Sequence, residues 1–354
     1  MSQSNVQLVD VLEAHRFDEA RLADYLRQQL PGEFDGEMAV KQFQGGQSNP
    51  TFLIEAGGRR YVLRKKPPGK LLPSAHQVER EYRVIRALRD TDVPVPEALH
   101  LCEDAEVIGT AFYVMRYVEG RVIDNPVEAD LTPEQRRGIM NATADTMGKL
   151  HRVDYRAVGL EDFGRPGNYI TRQIGRWTKQ YEASRTGDIP AMDKLMAWLP
   201  ENLPDADETT IAHGDFRVGN LMLHPGREEV VAVLDWELAT LGHPLSDLAY
   251  CCIPYSLAAD AKGMRGLQGL DLKALGMPTE DEFVARYAEA VGRSGGIEAW
   301  PYYKAFALFR LAAIVQGVYK RALDGNASSQ SAITMGDRAA QLAEAGWREA
   351  QKLG

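Results

Sequence analysis

The chain has 354 residues, of which 44% are hydrophobic and 26% are charged. This balance is typical of a globular protein and excludes disorder, collagen-like repeats and coiled coil as the dominant architecture. The 41 Lys and Arg residues against 50 Asp and Glu residues leave a net charge of −9, which disfavours general binding to nucleic acid or to an anionic membrane. The three cysteines include no CxxC pair and no signal peptide is visible, so we expect a cytoplasmic protein.

The first third of the chain is rich in β-strand patterns. Apolar and charged residues alternate at helical spacing over residues 17–30, and two β-rich runs then flank the turn Gly57-Gly58. Another helix is predicted at about 76–89, before two further strand-like runs. The pattern predicts a compact β-rich region that begins with a helix.

From Thr132 onward the chain is predicted to be mostly helical. Thr132 and Thr279 each begin a capping-box pattern, and β character returns only around IAHGD, NLMLH and VVAVLDWE. We therefore predict an α+β chain. Its β-rich N-terminal lobe would span residues 1–117, and a larger helical lobe residues 118–354.

The strongest chemical signal is the segment HGDFRVGN, followed downstream by LDWE. Transfer of a phosphoryl group to a hydroxyl requires a carboxylate for the hydroxyl proton and hard oxygen ligands for magnesium. Asp215 can supply the first, and Asn220 and Asp235 the second, because a hairpin across a Pro-Gly turn would return Asp235 to the vicinity of Asn220. The alternative is that His213, Asp215 and Asn220 only cap a buried turn.

HGDFRVGN and LDWE resemble the catalytic and metal-binding loops of the aminoglycoside phosphotransferase and choline kinase-like family, which shares the protein-kinase fold. The resemblance covers nearly the whole chain. It implies that Asp215 is the catalytic base and that Asn220 and Asp235 hold magnesium. It also implies that His213 supports the loop, that the fold has two lobes and that ATP is the phosphoryl donor.

One loop of the N-terminal region contains five candidates for binding the nucleotide: Gly45, Gly46, Gln47, Ser48 and Asn49. A flexible backbone between two strands can approach phosphate groups closely. A pair of glycines is equally typical of an ordinary hairpin turn. No GxxxxGK[ST] segment occurs, which excludes a Walker-type NTPase.

In kinases the third strand carries a lysine that meets the phosphates, and the matching residue here is Arg64, which departs from that commoner pattern. A planar guanidinium can bind phosphate oxygens in pairs, although Lys65 and Lys66 remain alternatives. The resemblance places a partner carboxylate on the next helix. Glu81 borders the apolar arc of that helix, whereas Glu79 points away from most of it, so we expect Glu81 to pair with Arg64.

The strand YVMRYVEG runs into the predicted connection between the lobes. By the resemblance, backbone groups of Arg116, Tyr117 and Val118 would hold the adenine edge, although an ordinary core strand is equally compatible with this composition. Asp247 matches a family aspartate that braces the catalytic loop through backbone hydrogen bonds. As a carboxylate at a helix N-terminus it can also be only a cap.

Within this family the chain most resembles the kinase domains associated with acyl-CoA dehydrogenases, on VLRKKPPGKLLPSAHQVEREYRV and on HGDFRVGNLMLHP through LDWELATLGHPLSDLAY. This implies phosphorylation of a hydroxyl on a small hydroxy acid or hydroxyacyl-CoA. The alternatives are an aminoglycoside O-phosphotransferase and a non-catalytic nucleotide-binding pseudokinase. A zinc hydrolase using His213, His224 and His243 would lack both HExxH and paired cysteines. The sequence indicates no oligomeric state.

Overall fold

The computed structural model describes residues 7–44, 49–69, 76–259, 265–325 and 336–353. The chain forms two compact units, each assembled from more than one segment. The first unit contains the described residues of 1–124, 158–160 and 218–239, and the second those of 125–157, 161–217 and 240–354. The first unit therefore extends past the predicted crossing at residue 118 and includes a segment from much later in the chain.

The first unit is built on an antiparallel six-stranded sheet of order β1-β2-β3-β4-β6-β5. Its strands are β1 (Leu8–Val9), β2 (Met38–Phe43), β3 (Thr51–Ala56), β4 (Arg59–Lys65), β5 (Ala98–Cys102) and β6 (Phe112–Arg116). The turn between β3 and β4 is Gly57-Gly58, with φ values of 56° and 73° that suit glycine in a tight hairpin.

Three helices accompany this sheet: α1 (Glu19–Gln29), α2 (Val78–Leu88) and α3 (Ala105–Ile108). Alternation along β4 divides its side chains between two faces. Tyr61 and Leu63 join the apolar cluster that contains Leu22 and Leu26 of α1. Arg64 has the opposite orientation and contacts α2. The sheet is therefore covered on both faces in the region of β4.

A second, three-stranded sheet of the first unit has the order β10-β9-β7. Its strands are β7 (Arg121–Val122), β9 (Leu221–Leu223) and β10 (Val230–Val233). The β9–β10 pair is the hairpin that NLMLH and VVAVL predict. The N–H of Val233 also donates to the carbonyl of Pro94 at 2.8 Å, which ties the late segment to the earlier part of the unit.

The second unit is mainly helical. Its helices are α4 (Pro133–Arg152), α5 (Tyr169–Ser184), α6 (Pro190–Glu201), α7 (Pro244–Cys251), α8 (Leu272–Leu275), α9 (Glu280–Ala290), α10 (Trp300–Leu323) and α11 (Gly336–Ala350). Both predicted capping boxes are present, at Thr132 and at Thr279. A pair of short strands, β8 (Thr210–Ala212) and β11 (Thr240–Gly242), completes the unit.

Helix α10 is the most buried long element of the second unit and packs against α5, α6, α7 and α11. Its core side chains include Phe306, Leu308 and Phe309, each fully buried. The predicted α+β class is confirmed, with the main sheet in the first unit and most helices in the second. None of the helices in the described ranges combines the length and the apolarity needed to cross a membrane.

Candidate active site

Arg64 lies near the end of β4 and contacts two carboxylates of the first unit. Its Nε is 3.3 Å from Oε2 of Glu81, and one terminal nitrogen is 3.7 Å from Oδ1 of Asp235. The pairing of Arg64 with Glu81 is the one that the helix arc predicts. Glu79 instead pairs with Lys66, at 2.9 Å. The Arg64 guanidinium therefore lies between a carboxylate of α2 and the aspartate of LDWE.

The Glu81 carboxylate is only 1% exposed and, besides its ion pair with Arg64, accepts two hydrogen bonds. Asn49 Nδ2 donates to Oε1 at 2.6 Å and the Tyr113 hydroxyl donates to Oε2 at 3.1 Å. Burial raises the pKa of Glu81, assisted by the negative charge of Asp235 and opposed by Arg64, Tyr113 and Asn49. Tyr113, which is opposite Arg64 in the β4–β6 register, is a member of this cluster that the sequence pattern did not predict.

Asn49 is the one member of the predicted phosphate loop that the structure describes. Its Nδ2 is used by Glu81, and its Oδ1 is 3.1 Å from Nδ1 of His76. Its side chain therefore supports the Arg64–Glu81 pair. The other four predicted residues, Gly45, Gly46, Gln47 and Ser48, lie outside the described residues.

Asn220 and Asp235 occupy neighbouring positions at one end of the β9–β10 hairpin. The N–H of Leu234 donates to the carbonyl of Asn220 at 2.8 Å, so Asp235 follows the residue paired with Asn220. Asp235 has a φ of 64°, a left-handed conformation in which the chain turns out of the strand. An amide oxygen and a carboxylate are hard ligands, and they fit the magnesium that the resemblance implies.

The three histidines of the zinc alternative are engaged with the backbone. His213, His224 and His243 each accept a hydrogen bond at Nδ1 from the N–H two residues further along, at 3.3, 3.1 and 3.2 Å. Among the described residues, no group of three or more His, Cys, Asp or Glu side chains is arranged to hold a metal ion. These residues therefore give no support to a zinc hydrolase.

In the second unit, the loop that follows β8 is braced by Asp247 of α7. Its Oδ2 accepts the N–H of His213 at 2.6 Å and its Oδ1 accepts the N–H of Gly214 at 2.9 Å. This is the brace that the resemblance implies. His151 Nε2 lies 3.4 Å from Oδ2 of Asp247, and His151 Nδ1 lies 2.8 Å from the Tyr287 hydroxyl.

Asp247 is fully buried, yet its carboxyl keeps a pKa below the ordinary value. Burial alone would raise that pKa. The hydrogen bond and electrostatic attraction of His151, the attraction of His213 and the N–H of Gly214 outweigh burial. The charged form of Asp247 is therefore the one that the fold stabilises.

Asp215 follows directly on this braced loop, and its side chain is 21% exposed. Arg217 Nε is 3.6 Å from Oδ2 of Asp215. Burial and the Asp215 carboxylate together raise the pKa of Tyr250, whereas Arg310 and Arg217 lower it. Asp215 thus combines access to solvent with a polar neighbourhood, as a carboxylate that handles a substrate proton requires.

The predicted adenine-binding segment begins at the end of β6. The N–H of Arg116 donates to the carbonyl of Glu97 at 2.9 Å, and the N–H of Tyr117 donates to the carbonyl of Arg60 at 3.2 Å. These two donors are used inside the protein. The backbone N–H groups of Arg116 and Tyr117 are thus already used in these bonds. Val118, the third candidate, takes part in neither of them.

Comparisons with known proteins agree with this organisation. The sequence profile described as the phosphotransferase enzyme family matches residues 39–306. The chain is 47% identical over 333 residues to acyl-CoA dehydrogenase family member 10 of Mus musculus, covering 94% of this chain and 31% of the relative. It therefore spans about a third of the length of that relative.

Two solved structures show the fold. One, from Ralstonia eutropha JMP134 and described as a candidate aminoglycoside phosphotransferase, is 48% identical, with a TM-score of 0.86 over 95% of this chain and 99% of that one. The other is the aminoglycoside phosphotransferase APH(4)-Ia with AMP-PNP and hygromycin B, which is 17% identical, with a TM-score of 0.59 over 93% of this chain and 98% of that one. The predicted two-lobed, protein-kinase-like fold and the predicted family are both confirmed.

Proposed function

The chain belongs to the phosphotransferase enzyme family, and we propose that it transfers the γ-phosphoryl group of ATP, with Mg²⁺, to a hydroxyl of a small hydroxy acid or hydroxyacyl thioester. The observation that carries the proposal is the contact of Arg64 with both Glu81 and Asp235. A cation that is 15% exposed and lies between two carboxylates fits the phosphate-binding part of a kinase, which argues against a pseudokinase that has lost its charges.

ATP as the donor is supported by the APH(4)-Ia structure, which contains the ATP analogue AMP-PNP. In this chain the phosphate contact would fall to Arg64, whose planar fork suits paired phosphate oxygens. Asn220 and Asp235 would hold Mg²⁺, which when bound neutralises charge on the nucleotide phosphates.

The chemical step follows from the position of Asp215. The acceptor hydroxyl oxygen attacks the γ-phosphorus as the bond to the β–γ bridging oxygen breaks, and ADP leaves with that electron pair. The hydroxyl proton passes to the Asp215 carboxylate. The brace from Asp247 to the N–H groups of His213 and Gly214 keeps the preceding backbone in place while the proton moves.

A hydroxyacyl acceptor is supported by the name of the mouse relative, an acyl-CoA dehydrogenase family member. A second candidate acceptor is an aminoglycoside, which is favoured by the description of the Ralstonia eutropha structure. The two acceptors differ in charge, since aminoglycosides are cationic and hydroxy acids are anionic.

Mass spectrometry of phosphoryl transfer would test the proposal. The purified protein with Mg-ATP would be offered 4-hydroxyacyl thioesters, their free acids, choline and aminoglycosides in parallel. We expect one phosphoryl group to be added to a hydroxyacyl compound. In Asp215→Asn this turnover should fall by about 10²–10⁴-fold while nucleotide binding persists.

Asp145→Asn is the matched control, because Asp145 is another aspartate of the second unit with an arginine partner, Arg286. It should retain turnover. Undiminished turnover in Asp215→Asn would refute the assigned base. Phosphorylation of aminoglycosides alone would select the second candidate, and calorimetric binding of ATP without any product would favour the pseudokinase.

A further inference from the structure

Helix α10 contains two buried cations with very different partners. Lys304 Nζ is 2.8 Å from Glu280 and 3.0 Å from Glu349. Arg310 is 6% exposed, and within the described part of the chain no carboxylate lies at ion-pair distance from it and its Nε has no hydrogen-bond partner. A buried charge without a carboxylate is costly, so its presence calls for an explanation.

The contacts of Arg310 point to the catalytic loop. One terminal nitrogen donates to the carbonyl oxygen of Gly214 at 2.8 Å. The guanidinium carbon lies 5.9 Å from the centre of the Trp177 ring and 5.6 Å from that of Tyr250. The two rings restrict the planar group to the orientation in which it reaches Gly214.

The peptide group between Gly214 and Asp215 is therefore held at both ends. Arg310 donates to the carbonyl oxygen of Gly214, and the N–H of Asp215 donates to Nδ1 of His213 at 3.3 Å. Gly214 has a φ of 85°, a conformation open to glycine but one in which glycine itself provides little stiffness. The orientation of this peptide plane sets the direction in which the Asp215 side chain leaves the backbone.

A second connection runs through Tyr250. The Asp215 carboxylate contributes to the raised pKa of Tyr250, after burial, and Arg310 acts on the same hydroxyl with the opposite sign. Arg310, Tyr250 and Asp215 therefore lie within electrostatic range of one another. Arg310 thus contacts the Gly214 carbonyl and the Tyr250 ring, and both of these groups are neighbours of Asp215.

We propose that Arg310 is a positioning residue that aims the Asp215 carboxylate at the acceptor hydroxyl, through the Gly214 carbonyl and the Tyr250 ring. The proposal rests on the proposed function, in which Asp215 receives the hydroxyl proton. A displacement of a catalytic group by about 1 Å can lower turnover by about 10²-fold, so a contact far from the substrate can have a large effect.

The test compares Arg310→Met with Arg286→Met. Arg286 is also in the second unit and its Nε is likewise buried without a hydrogen-bond partner among the described residues, but its ion pair is with Asp145. The reaction measured is hydrolysis of Mg-ATP with water as acceptor, which requires no identified substrate. We expect kcat to fall by about 10–100-fold in Arg310→Met, with the Kd for ATP within about twofold of the parent.

Chemical rescue separates positioning from general stability. Millimolar guanidinium should restore part of kcat in Arg310→Ala and leave Arg286→Ala unchanged. Unchanged kcat in Arg310→Met, or no rescue, would overturn the proposal. If Asp215→Asn hydrolyses ATP normally, it is the proposed function that fails; if Asp215→Asn is impaired and Arg310→Met is normal, only the role of Arg310 fails.

Hydrogen exchange provides a readout that does not need turnover. Amide exchange in the peptide spanning residues 211–217 should accelerate in Arg310→Met and not in Arg286→Met. Equal protection in the two variants would overturn the proposal even if ATP hydrolysis could not be measured.

Discussion

Glu81 in the first unit and Asp247 in the second are equally inaccessible to solvent, yet they are stabilised by different kinds of partner. The partners of Glu81 are side chains, those of Arg64, Asn49 and Tyr113. The shortest contacts of Asp247 are with the backbone N–H groups of His213 and Gly214, in the loop that follows β8. The pKa of Glu81 is raised by burial, whereas that of Asp247 stays lowered against the effect of burial.

The difference shows how one fold combines an adjustable contact, that of Glu81 with Arg64, with a fixed contact, that of Asp247 with the N–H groups of His213 and Gly214. Side chains can exchange partners, and Arg64 is at 3.3 and 3.7 Å from its two carboxylates, longer than the 2.6 Å hydrogen bond from His213 to Asp247. Backbone donors cannot move without moving the loop. Under the proposed function, Glu81 would allow Arg64 to respond to a nucleotide, while Asp247 would keep the proposed base, Asp215, in one place.

Removal of the fixed contact should have the largest effect. Asp247→Ala leaves two buried N–H groups without an acceptor, so we expect the free energy of unfolding to fall by about 3–5 kcal/mol, measured in urea at pH 7. Asp193→Ala is the control, because that exposed carboxylate pairs with Arg185 at 3.0 Å and should cost at most about 1 kcal/mol. Equal losses in the two variants would contradict the brace.

Weakening of the adjustable contact should affect binding more than stability. Glu81→Gln keeps the shape of the side chain but removes the charge that holds Arg64, and we expect the KM for ATP to rise by about tenfold, about 1.4 kcal/mol. In the control Glu79→Gln, whose parent residue pairs with Lys66, the KM should change by less than about twofold. A larger rise in the KM for ATP in Glu79→Gln than in Glu81→Gln would show that Glu79, and not Glu81, supports nucleotide binding.

The two carboxylates should also respond to pH with opposite signs. The folded pKa of Asp247 lies below its ordinary value of 3.8. Its stabilising contribution to the free energy of unfolding is therefore fully present above pH 3.8 and is lost as the pH falls through the folded pKa. The folded pKa of Glu81 lies above its ordinary value of 4.5, so ionised Glu81 costs stability as the pH rises through that range.

Urea unfolding from pH 3 to pH 7 would measure both effects. The deficit of Asp247→Asn relative to the parent should shrink as the pH falls, and the stability of Glu81→Gln relative to the parent should improve as the pH rises. Parallel pH profiles in the two variants would be incompatible with the opposite pKa shifts.

The smallest expected effect concerns the identity of the cation. Arg64→Lys restores the residue more usual in kinases, and we expect the KM for ATP to change by about threefold or less, because a lysine keeps the charge but loses the paired donors. A steady-state KM is the measurement. A collapse of activity would show that the paired donors of arginine are essential at this position.

Features encoded by neighbouring residues were predictable from the sequence. The capping boxes at Thr132 and Thr279, the β9–β10 hairpin and the inward position of Glu81 on α2 each follow from spacing within a few residues. Turn chemistry and helical periodicity act locally, so they leave a local signature.

Contacts across the fold were not predictable in the same way. Tyr113 reaches Glu81 because β4 and β6 pair with Arg64 opposite Tyr113, a register that the 48 residues between them leave open. Arg310 did leave a signal, as a charge inside an otherwise apolar helical stretch. Its partner is a backbone carbonyl, which every residue possesses, so the sequence cannot identify Gly214.

The discontinuous make-up of the first unit has a consequence for biosynthesis. Strand β7 belongs to a sheet whose other members, β9 and β10, come about 100 residues later. At about 5–20 residues per second, a ribosome would need roughly 5–20 s to supply them. During that interval the nascent unit would have an unpaired strand edge, an opening for a chaperone to shield or for a neighbouring chain to occupy.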